Sequence, residues 1–372
     1  MHKRRPFEHA DEVSEIVRFV MFWASTTMYR DPLCFVDRGS GDAMATLLFP
    51  TTSLVELSSA SGDVEYEEGR DFVLAPDRRL LIRTADSRIP ETNHDELYPL
   101  ADPDGSAFMF KRGAPGTYLM FGEGDLFHRR QVCATYTHQP GLWTAPVPVF
   151  CGDQMPRTMR GLHGRDRLVI AVTGDSISEG YNASGFVGVP PHQPPYVNLV
   201  AAGLTASYGS TISLHNLASA GWTADQGLAD AARVGALNPD VVIIAFGMND
   251  SGYATPGDFS ANIAGIISQV RQKARDAEFV LVSAMLPNPE WHYPVLERFA
   301  GYRDALFGLC AEGVVLADVT TLWQALLERK SVYDLTGNGI NHPNDFGHRV
   351  YADTILSLLV DVEKATSAPT DT

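Results

Sequence analysis

A chain of 372 residues, 45% apolar and 20% charged, is long enough for two domains and can bury a core without disulfide staples. Its formal net charge of -16 is spread along the chain, and a surface of that sign repels phosphate backbones, which argues against a nucleic-acid partner. Cys34, Cys133, Cys151 and Cys310 form no C-x-x-C pair and have no histidine at metal-ligand spacing. Neither a disulfide framework nor a zinc site is expected, and no cofactor motif appears.

In chain order, the N-terminus MHKRRPFEHADEVSEIVRFVMFWAS is basic, then acidic, and Arg18 interrupts its apolar run. That is a poor secretory leader, and no apolar stretch reaches the roughly 18 residues of a membrane span. The expectation is a cytoplasmic protein without a membrane partner, with one short helix around Ala10–Ala24. Residues 1–155 then read as all-β. Short apolar runs at 52–59, 64–69, 70–84, 107–113, 117–124 and 129–138 alternate with the turn signals SGD, APD, DPDG, GAPG and GEGD. Such punctuation predicts a sandwich or barrel. Its aromatic residues are core by default. Residues 139–165, rich in Pro and Gly, form the expected connection.

Residues 156–372 have a different pattern. The near-continuous apolar runs LVIAVT (168–173), ISLHNLA (212–218), VVIIAFG (241–247), FVLVSAM (279–285) and VVLADV (314–319) suit a parallel sheet covered on both faces. Helical segments lie between them. In the clearest, 256–277, Phe259, Ile263, Ile266, Ile267, Val270 and Ala274 repeat at three- and four-residue spacing. Five such strands predict an α/β, flavodoxin-like, doubly wound sheet, whose ligands bind at the carboxyl ends of the strands.

The carboxyl ends of those strands run into polar segments. Gly174-Asp175-Ser176 ends the first, Ala218-Ser219-Ala220-Gly221-Trp222 the second, and Gly247-Met248-Asn249-Asp250 the third, while Asn341-His342-Pro343 precedes the last helix. A serine hydroxyl becomes a useful nucleophile when a histidine removes its proton, and the resulting oxyanion needs N–H donors. Each residue also has a plainer explanation: Ser176 as a helix N-cap, Gly221 as a turn glycine, Asn249 as an Asx-turn residue. The G-x-S-x-G elbow, the phosphate-binding loop and H-E-x-x-H are absent.

The blocks GDSISEG (174–180), NLASAGWT (216–223), GMND (247–250) and NHPNDFGH (341–348) together resemble the SGNH, or GDSL-type, hydrolases. The resemblance implies a serine esterase with Ser176 as nucleophile, His342 as base, and Ser176 N–H, Gly221 and Asn249 as oxyanion hole. The family's Asp three residues before the histidine is replaced here by Gly339. Asp334, Asn338 or a backbone carbonyl is left to orient His342. Asp345 and His348 form a literal D-x-x-H, but they fall at the start of the last helix, where Asp345 suits a cap and His348 a structural role. Tyr181 and Asn182 are candidates to border the acyl pocket. A β-rich domain ahead of an SGNH domain resembles the two-domain carbohydrate esterases, which implies a sandwich, jelly-roll-like first domain, one or two of whose exposed rings stack on sugars, and acetyl esters of carbohydrates as substrates. A lipase or thioesterase, an acyltransferase and a non-catalytic carbohydrate-binding protein are the alternatives.

Overall fold

The computed structural model describes residues 21–39, 41–103, 105 and 108–361. Most of the helix expected around Ala10–Ala24 lies outside them, and residues 22–24 form a turn. The first half comprises β1 (Thr27–Cys34), β2 (Val36–Asp37), β3 (Met44–Thr46), β4 (Thr51–Ser59), β5 (Phe72–Leu74), β6 (Leu80–Arg83), β7 (Thr92–Asn93) and β8 (Gln131–His138). They form two sheets, a three-stranded antiparallel one in the order β1-β8-β4 and a five-stranded one in the order β5-β6-β3-β2-β7. In the central strand β8, Val132, Ala134 and Tyr136 are fully buried, the period of two that an inward face requires. β1 contains Pro32, which weakens its strand signal in the sequence; it sits at the sheet edge, where a missing N–H is tolerated.

The runs 64–69, 107–113 and 117–124 are not the strands the alternation predicted. Among the described residues they make only isolated bridges, Ser58 to Glu65, Glu68 to Phe72, Phe110 to Tyr118 and Lys111 to Trp291. The backbone of the last two runs bonds partly within the first half, as Leu119 N–H to Met109 O and Met120 N–H to Leu97 O, and partly to the second half. Arg112 N–H donates to Glu290 O at 2.6 Å and Gly122 N–H to Asn338 O at 3.4 Å. Residues 108–127 therefore lie as an arm across the other half of the protein. Two small cores seat it: Met120 and Phe127 with Val332 and Tyr333, and Met109 and Leu119 with Trp291 and Ile340.

The second half is the expected doubly wound sheet. β9 (Arg167–Gly174), β10 (Thr211–Asn216), β11 (Val241–Ala245), β12 (Glu278–Val282) and β13 (Val314–Ala317) run parallel in the order β10-β9-β11-β12-β13. Alternate residues face opposite ways. Ala171, Val242, Ile244, Phe279 and Leu281 pack on the helices Ala224–Ala236 and Pro256–Lys273. Ile170, Val172, Ile243 and Val280 pack on Tyr196–Tyr208 and Asp345–Leu359. The latter core continues without a break into Leu33, Phe35, Phe49 and Val132 of the β-rich half. The connection packs along the second half: Cys151 N–H donates to Leu358 O at 2.9 Å, and Arg329 lies over the Trp143 ring.

Candidate active site

The nucleophile candidate stands where β9 stops. Asp175 is the N-cap of the short helix Ser176–Glu179, its carboxylate accepting from Ile177 N–H at 3.0 Å. The serine is thus free of capping duty and occupies the first helical position. β10 and β11 flank β9, which brings their following loops beside Ser176. Ser219 N–H donates to Gly174 O at 3.1 Å, and Ala220 N–H to the Glu179 carboxylate at 2.8 Å. Gly221 has φ +78, a left-handed turn that suits glycine. Asn249 donates one amide hydrogen to Trp222 O at 2.9 Å, which ties the third loop to the second and leaves its other amide hydrogen available. Among the described residues, neither Ser176 N–H nor Gly221 N–H donates a hydrogen bond.

Two buried carboxyls support these loops from beneath. Asp250 accepts from Ala224 N–H and Gly247 N–H, at 2.9 and 3.1 Å. Burial pushes Asp175 up to about 7 and Asp250 up to about 6, because desolvation outweighs the backbone N–H bonds each accepts.

His342 reaches Ser176. Its Nε2 lies 2.8 Å from Ser176 Oγ, and both side chains are buried. A small hairpin holds it: Gly337 N–H donates to His342 O, and Asn338 Oδ1 accepts from the N–H groups of Ile340, Asn341 and His342 at 3.0–3.1 Å. The Tyr181 ring borders the imidazole, centroids 5.1 Å apart.

Asp334 does not take the place the sequence suggested for it. Its carboxylate accepts from Cys34 N–H at 2.7 Å and Ser331 N–H at 2.9 Å, and lies 3.7 Å from Lys330 Nζ. Burial raises its pKa, with Lys330 opposing. It is a capping and packing residue with no contact to His342. Nor does a backbone carbonyl face the ring. His342 Nδ1 meets Glu123 Oε1 at 3.0 Å and Oε2 at 3.2 Å, and Asn182 Oδ1 at 3.0 Å. Asn338 touches the imidazole only indirectly, donating to Glu123 Oε1 at 3.1 Å. Desolvation raises the Glu123 pKa, but the hydrogen bonds and charge of His342 more than offset it, and the net shift is downward. Glu123 comes from the arm of the β-rich half. In the sequence it sits inside GEGD, which reads as a turn, and no local pattern marks it.

The D-x-x-H at 345–348 is structural. Asn344, rather than Asp345, caps the last helix, accepting from Gly347 N–H at 3.1 Å, while Asp345 accepts from Ser184 N–H at 2.8 Å. His348 is fully buried, takes Tyr196 N–H on Nδ1 at 3.3 Å and gives Nε2–H to Tyr181 O at 3.0 Å. Burial lowers its pKa to about 4. Among the described residues there is no cluster of His, Cys, Asp and Glu that could hold a metal ion, and no helix long and apolar enough to cross a membrane.

A serine and a histidine in hydrogen-bond contact at the carboxyl edge of a five-stranded parallel sheet, beside unpaired N–H groups, define a doubly wound α/β hydrolase domain. Residues 172–350 match the model of the GDSL-like lipase/acylhydrolase family. No curated protein sequence matches the chain. Solved structures are similar to it at low identity. A two-domain esterase active on acetylated mannans is 21% identical, with 60% of this chain matching 56% of that one at a TM-score of 0.46. An acetyl-xylooligosaccharide esterase from Geobacillus stearmophilus is 20% identical over 52% of this chain and 94% of its own, at 0.44. A carbohydrate esterase of family 3 from Talaromyces cellulolyticus is 16% identical over 54% of this chain and 100% of its own, at 0.41.

Proposed function

We propose that the protein hydrolyses short acyl esters, acetyl esters of a carbohydrate in particular, through a covalent acyl-enzyme on Ser176. The observation that carries this reading is the 2.8 Å contact between His342 Nε2 and Ser176 Oγ. Nε2 takes the hydroxyl proton as Oγ attacks the acyl carbon. The carbonyl oxygen becomes an oxyanion, received by Ser176 N–H, Gly221 N–H and the remaining Asn249 amide hydrogen. Collapse of the tetrahedral intermediate breaks the ester C–O bond, and Nε2–H protonates the departing alkoxide. Water, deprotonated by the same nitrogen, then attacks the acyl-serine and releases the acid. For the alcohol side, Tyr181, whose ring borders His342, offers a hydroxyl that suits a hydroxylated leaving group better than a lipid. Phe108 and Tyr293, ring centroids 4.7 Å apart, stand near Asn249, since Tyr293 OH donates to Asn249 O.

Hydrolysis of p-nitrophenyl esters from C2 to C12 tests the reading. The expected profile falls steeply beyond C4, Ser176→Ala abolishes turnover while the melting temperature is kept, and a serine-reactive phosphonate labels Ser176 alone. Equal rates on long chains would turn the assignment to a lipase-like acylhydrolase. No turnover and no labelling would end it.

A further inference from the structure

We infer that the work of a third catalytic-triad member is divided here between two positioning residues from the two halves of the chain: Glu123 supplies the charge and Asn182 secures the tautomer. The inference rests on the acylhydrolase reading of the site.

The hydrogen-bond network settles the direction of each bond. Asn182 Nδ2 donates to Gly124 O at 3.2 Å and to Gly337 O at 3.0 Å. Both acceptors are carbonyls, so the Asn182 amide cannot be reversed, and Oδ1 must face His342. Oδ1 and the Glu123 carboxylate are both acceptors, so the hydrogen of a neutral imidazole resides on Nδ1. The lone pair is then on Nε2, facing Ser176 Oγ, as proton abstraction requires.

Glu123 is built into this place from both sides. Gly122 N–H is tied to Asn338 O, Gly124 O is tied to Asn182, and Asn338 donates to the Glu123 carboxylate itself. The arm also explains why no acid stands three residues before His342. A Cβ on Gly339, at φ +81, would lie 2.4 Å from Phe127 Cζ and 2.7 Å from Met120 O. Both atoms belong to the segment that delivers Glu123. The arm thus fills the space a local acid would need and brings a carboxylate in its place. Its side chain is 39% exposed, so water partly screens the charge. That makes Asn182, buried and neutral, a needed second hold on the ring.

The test uses the full-length chain with p-nitrophenyl acetate and the variants Glu123→Gln, Asn182→Gly and their combination. Glycine accepts the φ of +62 found at 182. Losing both the tautomer and the charge of a triad costs about 10⁴-fold in kcat. With Asn182 still in place, Glu123→Gln is expected to lower kcat about 10²-fold with KM nearly unchanged. Asn182→Gly is expected to lower it less than about 10-fold, and the pair together more than the product of the two, because only then is the ring free to adopt the wrong tautomer. The low-field Nδ1–H resonance of His342 in the proton NMR spectrum should move upfield in Glu123→Gln. Glu123→Gln within twofold of wild type, a purely multiplicative pair, or a wild-type spectrum lacking that resonance would each overturn the inference. The resonance needs no turnover, so an inert wild type would defeat the hydrolase reading and still leave this one decidable.

Discussion

Asn249 shows how little of a candidate oxyanion donor is free. One of its amide hydrogens is spent on Trp222 O, and its own backbone carbonyl accepts Tyr293 OH at 2.9 Å. The amide is thereby held in place before any substrate arrives, which is what makes a donor effective toward a charge that appears only in the transition state. Replacing Asn249 by Ala should therefore reduce kcat about 10²–10³-fold with KM nearly constant, the mark of an interaction made only in the transition state. Steady-state kinetics on a C2 ester would check it; a rise in KM at constant kcat would instead make Asn249 a ground-state contact. The sequence placed Asn249, like Ser176, Gly221 and His342, at the carboxyl edge of the sheet, the first three because they follow apolar strand runs and the last through the family-like block at 341–348. Glu123 was not placed there. It lies 219 residues before His342, in a segment whose glycines signal only a turn, and its reach to the imidazole depends on how the arm folds back. Asp334 was misplaced for the same reason, since nearness in sequence to His342 said nothing of Cys34 N–H, which claims its carboxylate.

The helix Asp345–Leu359 carries a second argument, at its first turn. Asn344 caps it, and His348 one turn in is driven into the space between the nucleophile loop and the helix Tyr196–Tyr208, where it bridges Tyr196 N–H and Tyr181 O. Only the neutral ring can accept on Nδ1 and donate from Nε2 at once, and burial lowers its pKa from 6.5 to about 4. The unfolded chain binds a proton as pH falls below 6.5, while the folded one refuses it until about 4. The stabilisation from keeping His348 neutral is thus complete above pH 6.5 and is lost progressively down to pH 4. A shift of this size corresponds to about 3 kcal/mol. Urea denaturation of wild type and His348→Gln across pH 4–8 isolates this contribution. The destabilisation caused by the substitution should be largest at neutral pH and shrink as the solution is acidified; a pH-independent difference would mean that His348 is held by packing alone. The block at 341–348 put His348 just inside the last helix, at a structural position, but it could not show which of Asn344 and Asp345 caps, because both are good caps and the choice follows from Ser184 N–H recruiting Asp345.

Across the whole molecule, the change from strand-rich to alternating sequence marks two architectures, yet the hydrophobic core does not stop between them. The join also contains a buried ion cluster. Lys330 Nζ, 1% exposed, faces Asp31 Oδ1 of β1 at 3.0 Å and donates to Thr46 O at 2.7 Å. The contact with Asp31 Oδ1 is ionic, that atom accepting no hydrogen bond, while Oδ2 accepts from Leu48 N–H and Tyr136 OH. The second half thus inserts a cation among the carboxylates of the join, and neither half could bury its charges alone without a large desolvation penalty. Lys330→Met would leave Asp31 and Asp334 facing each other unpaired, a loss of about 3–5 kcal/mol. Adding Asp31→Asn, which keeps acceptors for Leu48 N–H and Tyr136 OH, should recover part of that loss. Because core and cluster are shared, wild type should unfold in urea as one transition, with fluorescence and ester hydrolysis lost together. Two separated transitions, or a Lys330→Met variant as stable as wild type, would mean that the halves fold independently and that the arm bearing Glu123 docks on a hydrolase already complete without it.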